Sequence, residues 1–253
     1  MRRFQFCLYL CCLFLTIAGT HKSFAQINTD RPTQSASALV LPAGRFQVET
    51  GAQYTHFDAF ANQFTYQATL LRYGLNDLFE LRFSTSYERL DRSFTGAERE
   101  YTGFSPVVIG FKSKIADENG FWPQVSILGQ TALPSGEEVF EVNTAVPAFR
   151  FNFQHTLNDQ HSIGYNWGME WSDGSSAATN IYTFIYNLSF AGSFTVFAEF
   201  YGFIADGLND HRFDTGLIYL FSDNLQADIS GGFGLSDEAP DGFLGLGLSF
   251  YVK

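Results

Sequence analysis

The chain has 253 residues, enough for one barrel or one large sandwich. Aromatic residues make up 17%, with 29 Phe and 12 Tyr, and charged residues only 16%, against about a quarter in an average soluble domain. A formal net charge of −11 argues against a nucleic-acid partner, because phosphate contacts need the opposite sign.

Residues 1–25 read as a secretory signal peptide. Arg2 and Arg3 form its basic end, Cys7 to Ala18 its apolar core, and Ser23-Phe24-Ala25 the small-residue cleavage site. Cleavage after Ala25 removes Arg2, Arg3 and Lys22 and takes the formal charge from −11 to −14. It also removes Cys7, Cys11 and Cys12, so no thiol chemistry remains from residue 26 onward. Beyond that segment no apolar run approaches the roughly 18 residues of a spanning helix. Residues 26–43 are polar, with Pro32 and Pro42 as breakers, and read as a periplasmic lead-in or a segment inserted in a lumen.

Residues 44–253 read as strands with strict two-residue alternation, one apolar and one polar face. In the first, Phe46, Val48, Ala52 and Tyr54 oppose Gln47, Glu49 and Gln53, and Gly51 leaves room on the polar face. In the second, Phe64, Tyr66, Ala68 and Leu70 point outward. The third is the clearest: in Leu78 to Leu90, Phe79, Leu81, Phe83, Thr85 and Tyr87 alternate with Glu80, Arg82, Ser84, Ser86 and Glu88. A polar loop is expected from Asp91 to Gly103. The fourth strand carries Val107, Ile109 and Phe111 opposite Lys112; the sixth has Phe149, Phe151 and Phe153 against Arg150 and Asn152. The seventh sets Tyr165, Trp167 and Met169 against Asn166 and Glu170, and the ninth sets Phe194, Val196 and Phe200 against Glu199. A loop is expected over Ala205 to His211. Strands ten to twelve continue the pattern, with Asp214 and Asp228 on the polar face and Leu244, Leu246 and Leu248 on the other.

About 12 strands result, an even number, with connections that alternate short and long as in outer-membrane barrels. The fold class expected is all-β: a closed antiparallel up-and-down transmembrane barrel. Aromatics at both strand ends fit two interfacial girdles. Strands about 4.8 Å apart and tilted near 40° give a backbone radius of roughly 12 Å, which leaves a narrow or plugged lumen.

The candidate lumen-lining residues are Glu49, Glu80, Arg82, Lys112, Arg150, Glu170, Glu199, Asp214 and Asp228, because a charge facing lipid costs about 2–4 kcal/mol at the midplane. Arg72 and Glu88 share that parity or sit at strand ends. Two readings of these charges stay open: a paired network that stiffens the interior, or a solute path lined by both signs. Glu80 and Arg82 are expected to form a solvated pair, with Glu49 as a third member if the register allows. No cofactor or metal site is expected, since the histidines show no ligand spacing and no catalytic fingerprint is present. A Ser162–His155 pair on the lipid face is the weakest alternative, a surface lipid hydrolase. Acidic loops at Glu137, Glu138, Glu141, Asp237, Glu238 and Asp241 read as a solvated surface rather than a cation site.

Several stretches then carry a resemblance: INTDRPTQSA with LPAGRFQVETG, LRYGLNDLFELRFSTSYE, GFKSKIA, TALPSGEE, FAEFYGF and the closing DTGLIYLFSDNLQADISGGFGLSDEAPDGFLGLGLSFYVK. In that order they resemble the outer-membrane barrel family named for the MetA-pathway of phenol degradation, and look similar to its members from Bacteroidota. The resemblance implies a transporter-like barrel in the outer membrane of a Gram-negative bacterium, embedded in lipid and lipopolysaccharide, that admits hydrophobic or aromatic compounds. Gly247, Phe250 and Val252 resemble the signal read by the barrel-assembly machinery, with Lys253 as a departure from an aromatic end.

Overall fold

The structure, a computed structural model, describes residues 27–94 and 97–252. The signal peptide, its cleavage point and Lys253 lie outside the described residues. The strands are β1 Phe46–Asp58, β2 Ala61–Asn76, β3 Phe79–Thr85, β4 Tyr87–Phe94, β5 Ala97–Phe104, β6 Val108–Ala116 and β7 Gln124–Ala132. They continue as β8 Val146–Thr156, β9 His161–Trp171, β10 Ala178–Phe190, β11 Phe194–Ala205, β12 Leu208–Ser222, β13 Leu225–Gly234 and β14 Gly242–Val252. β3 with β4, and β5 with β6, each make one interrupted stave. The result is a closed antiparallel barrel of 12 strands, shut where β1 pairs with both β2 and β14.

Alternation decides the faces, and exposure is inverted relative to a soluble protein. On β14 Leu246 is 61% exposed, while on β11 Glu199 is fully buried. Phe83, Trp167, Phe184, Phe200 and Ile229 are likewise exposed on the outside. Such an exterior is costly in water and stable in hydrocarbon. The connections β2–β3, β8–β9, β10–β11 and β12–β13 are short turns, which defines a short-turn end.

At the opposite end the sequence reading needs correction. Asp91 to Gly103 is not a loop in its described residues: β4 pairs with β5 antiparallel from Tyr87↔Phe104 to Phe94↔Ala97. Ala205 to His211 is likewise a hairpin, turned by Asp206-Gly207 with Gly207 at φ +76°. β2 has 16 residues and β12 has 15. A tilted spanning strand needs only about 9–11, so these staves project beyond the membrane as a rim.

A second correction concerns β2. Opposite β1, Gly51 pairs with Ala68 and Gln53 with Thr65, so Ala52 alone faces Tyr66 and Gln67. This bulge reverses the alternation. Phe64 and Tyr66 remain outside, but Ala68 and Leu70, expected outside, face the lumen beside Glu49. Arg72 follows them inward. Near the same level the third and fourth staves break, at Ser86 and at residues 105–107. Pro106 has no N–H to give the ladder. Ser86 and Ser105 close the gap instead: the Ser105 N–H donates to the Ser86 carbonyl at 2.9 Å, and the Ser86 N–H to Ser105 Oγ at 2.9 Å.

Candidate functional site

Residues 27–43 fill the lumen. The segment enters at the short-turn end, where the Ile27 N–H donates to the Asp223 carbonyl at 3.0 Å. It leaves at the same end, because Ile27, Leu41 and Tyr251 pack as one buried cluster with Leu220 against it. Between those points the chain is a loop inside the barrel. With Pro32 and no alternation it joins no ladder, so its backbone donors need side-chain partners. The wall supplies them from two sides.

The first side is β1, β2, β3 and β6. Glu49 Oε2 accepts the N–H groups of Asp30 (3.0 Å) and Arg31 (2.9 Å). Arg72 reaches Glu49 Oε1 at 2.8 Å and grips Glu80 with two parallel bonds of 2.9 Å. Arg82 links Glu80 at 2.8 Å to Asp30 at 2.7 Å. Lys112 Nζ lies 3.0 Å from both Asp30 oxygens and 2.8 Å from the Ser37 carbonyl. Three carboxylates thus meet three cations. Arg72, Lys112, Glu49 and Glu80 are fully buried. The expected solvated Glu80–Arg82 pair is corrected here to a dry network. Its centre is Arg72, which the register places opposite Arg82 and two pairs along from Glu49, on the same face.

The second side is β8 to β13. Glu199 accepts the N–H groups of Gln34 (2.8 Å) and Ser35 (2.7 Å). Asn166 both accepts from the Ala36 N–H at 2.7 Å and donates to the Ala36 carbonyl at 3.0 Å. Arg150 donates to the Gln34 carbonyl at 2.9 Å. Glu199 and Asp214 sit directly opposite each other on neighbouring strands. Asp214 Oδ1 and Asp228 Oδ2 have no hydrogen-bond partner among the described residues. This side carries more acid than base.

All nine predicted residues therefore face the interior. Eight of them join the two clusters or pair with the segment, while Glu170, across from Ala148 on β8, stays half-buried. Sequence reasoning left Asp30 and Arg31 unassigned, because nothing in an irregular polar stretch shows that it lies in a lumen. The signal that was available is a pair of lumen-face glycines, Gly51 and Gly247, facing each other across β1 and β14.

Two cavities remain beside the segment. One, of about 330 Å³, faces the long-loop end behind the Ser86–Ser105 break and is lined by Ala68, Leu70, Ser84, Ser86, Pro106 and Val108 among others. The other, of about 200 Å³, faces the short-turn end between the segment and β8 to β13. A larger hollow at Leu71, Tyr73, Leu81, Phe83, Ile109 and Phe111 lies on the outside, where lipid chains pack.

The imagined hydrolase pair does not form. Ser162 pairs with Thr156 and His155 with Ile163, so the two side chains lie on opposite faces. His155 instead meets the Tyr165 hydroxyl at 3.4 Å. Of the loop acids, Glu137 accepts the Phe104 N–H at 3.1 Å and ties its loop to the β4–β5 hairpin. Asp173 ties the same loop from the other side. It accepts the N–H groups of Asn143 (2.8 Å) and Thr144 (2.9 Å) and the Thr144 hydroxyl. These bonds hold its carboxyl down to about 2.

The model of the family described as "Putative MetA-pathway of phenol degradation" matches residues 29–252. The chain belongs to that family. No curated protein matches it in sequence. Among solved structures it is similar to the COG4313 outer membrane channel from Pseudomonas putida F1, with a TM-score of 0.68 at 13% identity over 87% of this chain and 100% of that one. The KdgM porin in complex with disordered oligogalacturonate gives 0.55 at 10% identity, over 82% and 99%. The translocator domain of the autotransporter NalP from Neisseria meningitidis gives 0.50 at 9%, over 83% and 89%. At these identities the likeness is one of fold, that of outer-membrane barrels.

Proposed function

We propose that the chain is a narrow passive channel of the outer membrane, exported by its cleaved signal peptide, whose lumen passes small hydrophobic or aromatic solutes past residues 27–43. One observation carries this reading: a single inserted segment separates two cavities, of about 330 and 200 Å³, that face opposite ends of the barrel. The larger is near the lower limit of small-molecule pockets, about 300 Å³. Its lining mixes Ala68, Leu70, Pro106 and Val108 with Ser84 and Ser86, which suits a one-ring solute with a polar edge. The channel and porin named among the similar structures support the same direction. The charges of the two clusters hold the segment in place, and the solute follows the gap beside it, where Arg31, Glu49 and Glu88 join the apolar and hydroxyl groups of the lining.

A second reading is favoured by the dry network around Arg72. Three acids and three bases closed around the segment describe a braced barrel with no passage. Liposome swelling and planar-bilayer conductance separate the two. A channel gives swelling with small solutes and steps of conductance. Absence of both, in the wild type and in a variant lacking residues 29–38, establishes the closed barrel.

A further inference from the structure

We infer that Arg31 is the latch of the lumen: its guanidinium separates the two cavities, and a continuous path forms when it leaves the slot made by Gly51 and Gly247. This rests on the channel reading above and adds to it the residue that opens the path.

Among the described residues, Arg31 is the only one that lines both cavities. The backbone on either side of it is fixed by wall groups, since Glu49 holds the Asp30 and Arg31 N–H groups and Glu199 those of Gln34 and Ser35. The Arg31 side chain is held differently. It crosses to the barrel seam and donates through Nη2 to Asp228 Oδ1 at 3.2 Å and to the Leu246 carbonyl at 3.1 Å. Its Nε finds no partner among the described residues. The side chain is 21% exposed, against 0% for Arg72. One ion pair of 3.2 Å, with Asp228 buried and Arg31 21% exposed, is a weaker hold than the bidentate grip on Glu80.

The wall is shaped for this guanidinium. Gly51 and Gly247 are direct partners across β1 and β14. A Cβ on Gly51 would lie 2.4 Å from Arg31 Nη2, and one on Gly247 would lie 2.3 Å from Nε. Two missing side chains at one level leave a flat recess in the wall. The tether is thus a swinging arm on a fixed base. When the arm lies in the recess its stem closes the gap between the cavities, and when it swings out the gap opens without unseating the segment.

The test is single-channel conductance in planar bilayers, with heat-modifiable migration as the check on assembly. Arg31→Ala should raise conductance several-fold over wild type. Because no cysteine occurs from residue 26 onward, Arg31→Cys carries the only thiol of the exported chain. Aminoethyl methanethiosulfonate rebuilds a cationic arm there and should return conductance to the wild-type level; the neutral methyl reagent should not. Wild-type conductance in Arg31→Ala, with high conductance in the variant lacking residues 29–38, overturns the latch and leaves the channel standing. No conductance in either overturns the channel and the latch together. If Arg31→Ala fails to assemble, Gly247→Ala decides, since the three atoms nearest the added methyl all belong to the flexible arm, which it should displace. Wild-type conductance in that variant also overturns the latch.

Discussion

The two walls that hold the inserted segment use the same grip in opposite electrical settings. On one, Glu49 takes two successive backbone N–H groups and is itself neutralised by Arg72. On the other, Glu199 takes two successive N–H groups and faces Asp214, with no cation bonded to either carboxylate among the described residues. The first wall is a closed set of ion pairs in which every charge is answered, and losing one member strands the others. The second is a looser anchor whose acids are partly unanswered, so removing a charge there relieves as well as costs. Rigidity of the segment therefore comes from β1 to β6, and whatever yields should yield on the side of β10 to β13.

The largest expected effect breaks the first wall. Arg72→Met leaves Glu49 and Glu80 buried without their shared cation, a loss of about 3–5 kcal/mol for such a pair. The expected outcome is a strongly lowered urea midpoint, or failure to give the fast-migrating unboiled band. Phe83→Arg, on the outside of the third stave, calibrates the scale at about 2–4 kcal/mol through lipid exposure alone. Glu199→Gln sharpens the contrast. It weakens the hold on Gln34 and Ser35 but removes repulsion from Asp214, so its shift should stay below about 1.5 kcal/mol. A Glu199→Gln variant as damaged as Arg72→Met would mean that the two walls are equivalent.

The smallest effect lies outside the membrane. The Asp173 residue is partly exposed, and its bonds to Asn143 and Thr144 favour the charged form. Its folded value lies below the usual carboxylate range of about 4, so the contribution is complete above that range and is lost as pH falls through about 2. Asp173→Ala should lower the urea midpoint only slightly at neutral pH while exposing the loop of residues 133–145 to protease. Protection equal to wild type at neutral pH would show that Glu137 alone holds that loop.

The barrel was legible because lipid and lumen enforce alternation on every stave, and Phe83 against Arg82 or Leu246 against Gly247 could be assigned by counting. Counting fails where the backbone adds a residue. Ala68 and Leu70 were misplaced because a bulge at Tyr66-Gln67 leaves no mark in a run of small and aromatic residues. The rim hairpins were missed for a related reason: above the membrane both faces meet water, so Asp91 to Gly103 carries no apolar alternation although it is paired. Nine charges were assigned to the lumen face by the cost of facing lipid. Their dryness was not, since it depends on residues 27–43, which bind through backbone N–H groups that every sequence possesses.

The recess for Arg31 is divided between the first strand and the last. Gly51 is present as soon as β1 exists, but Gly247 and the Leu246 carbonyl arrive only with β14. The segment's own arm is therefore a clasp across the seam where the ring closes, joining the stretch before β1 to the far end of the barrel. A barrel that stops short of β14 has half a recess and no clasp. Correct seating of Arg31 thus records that the circle is complete.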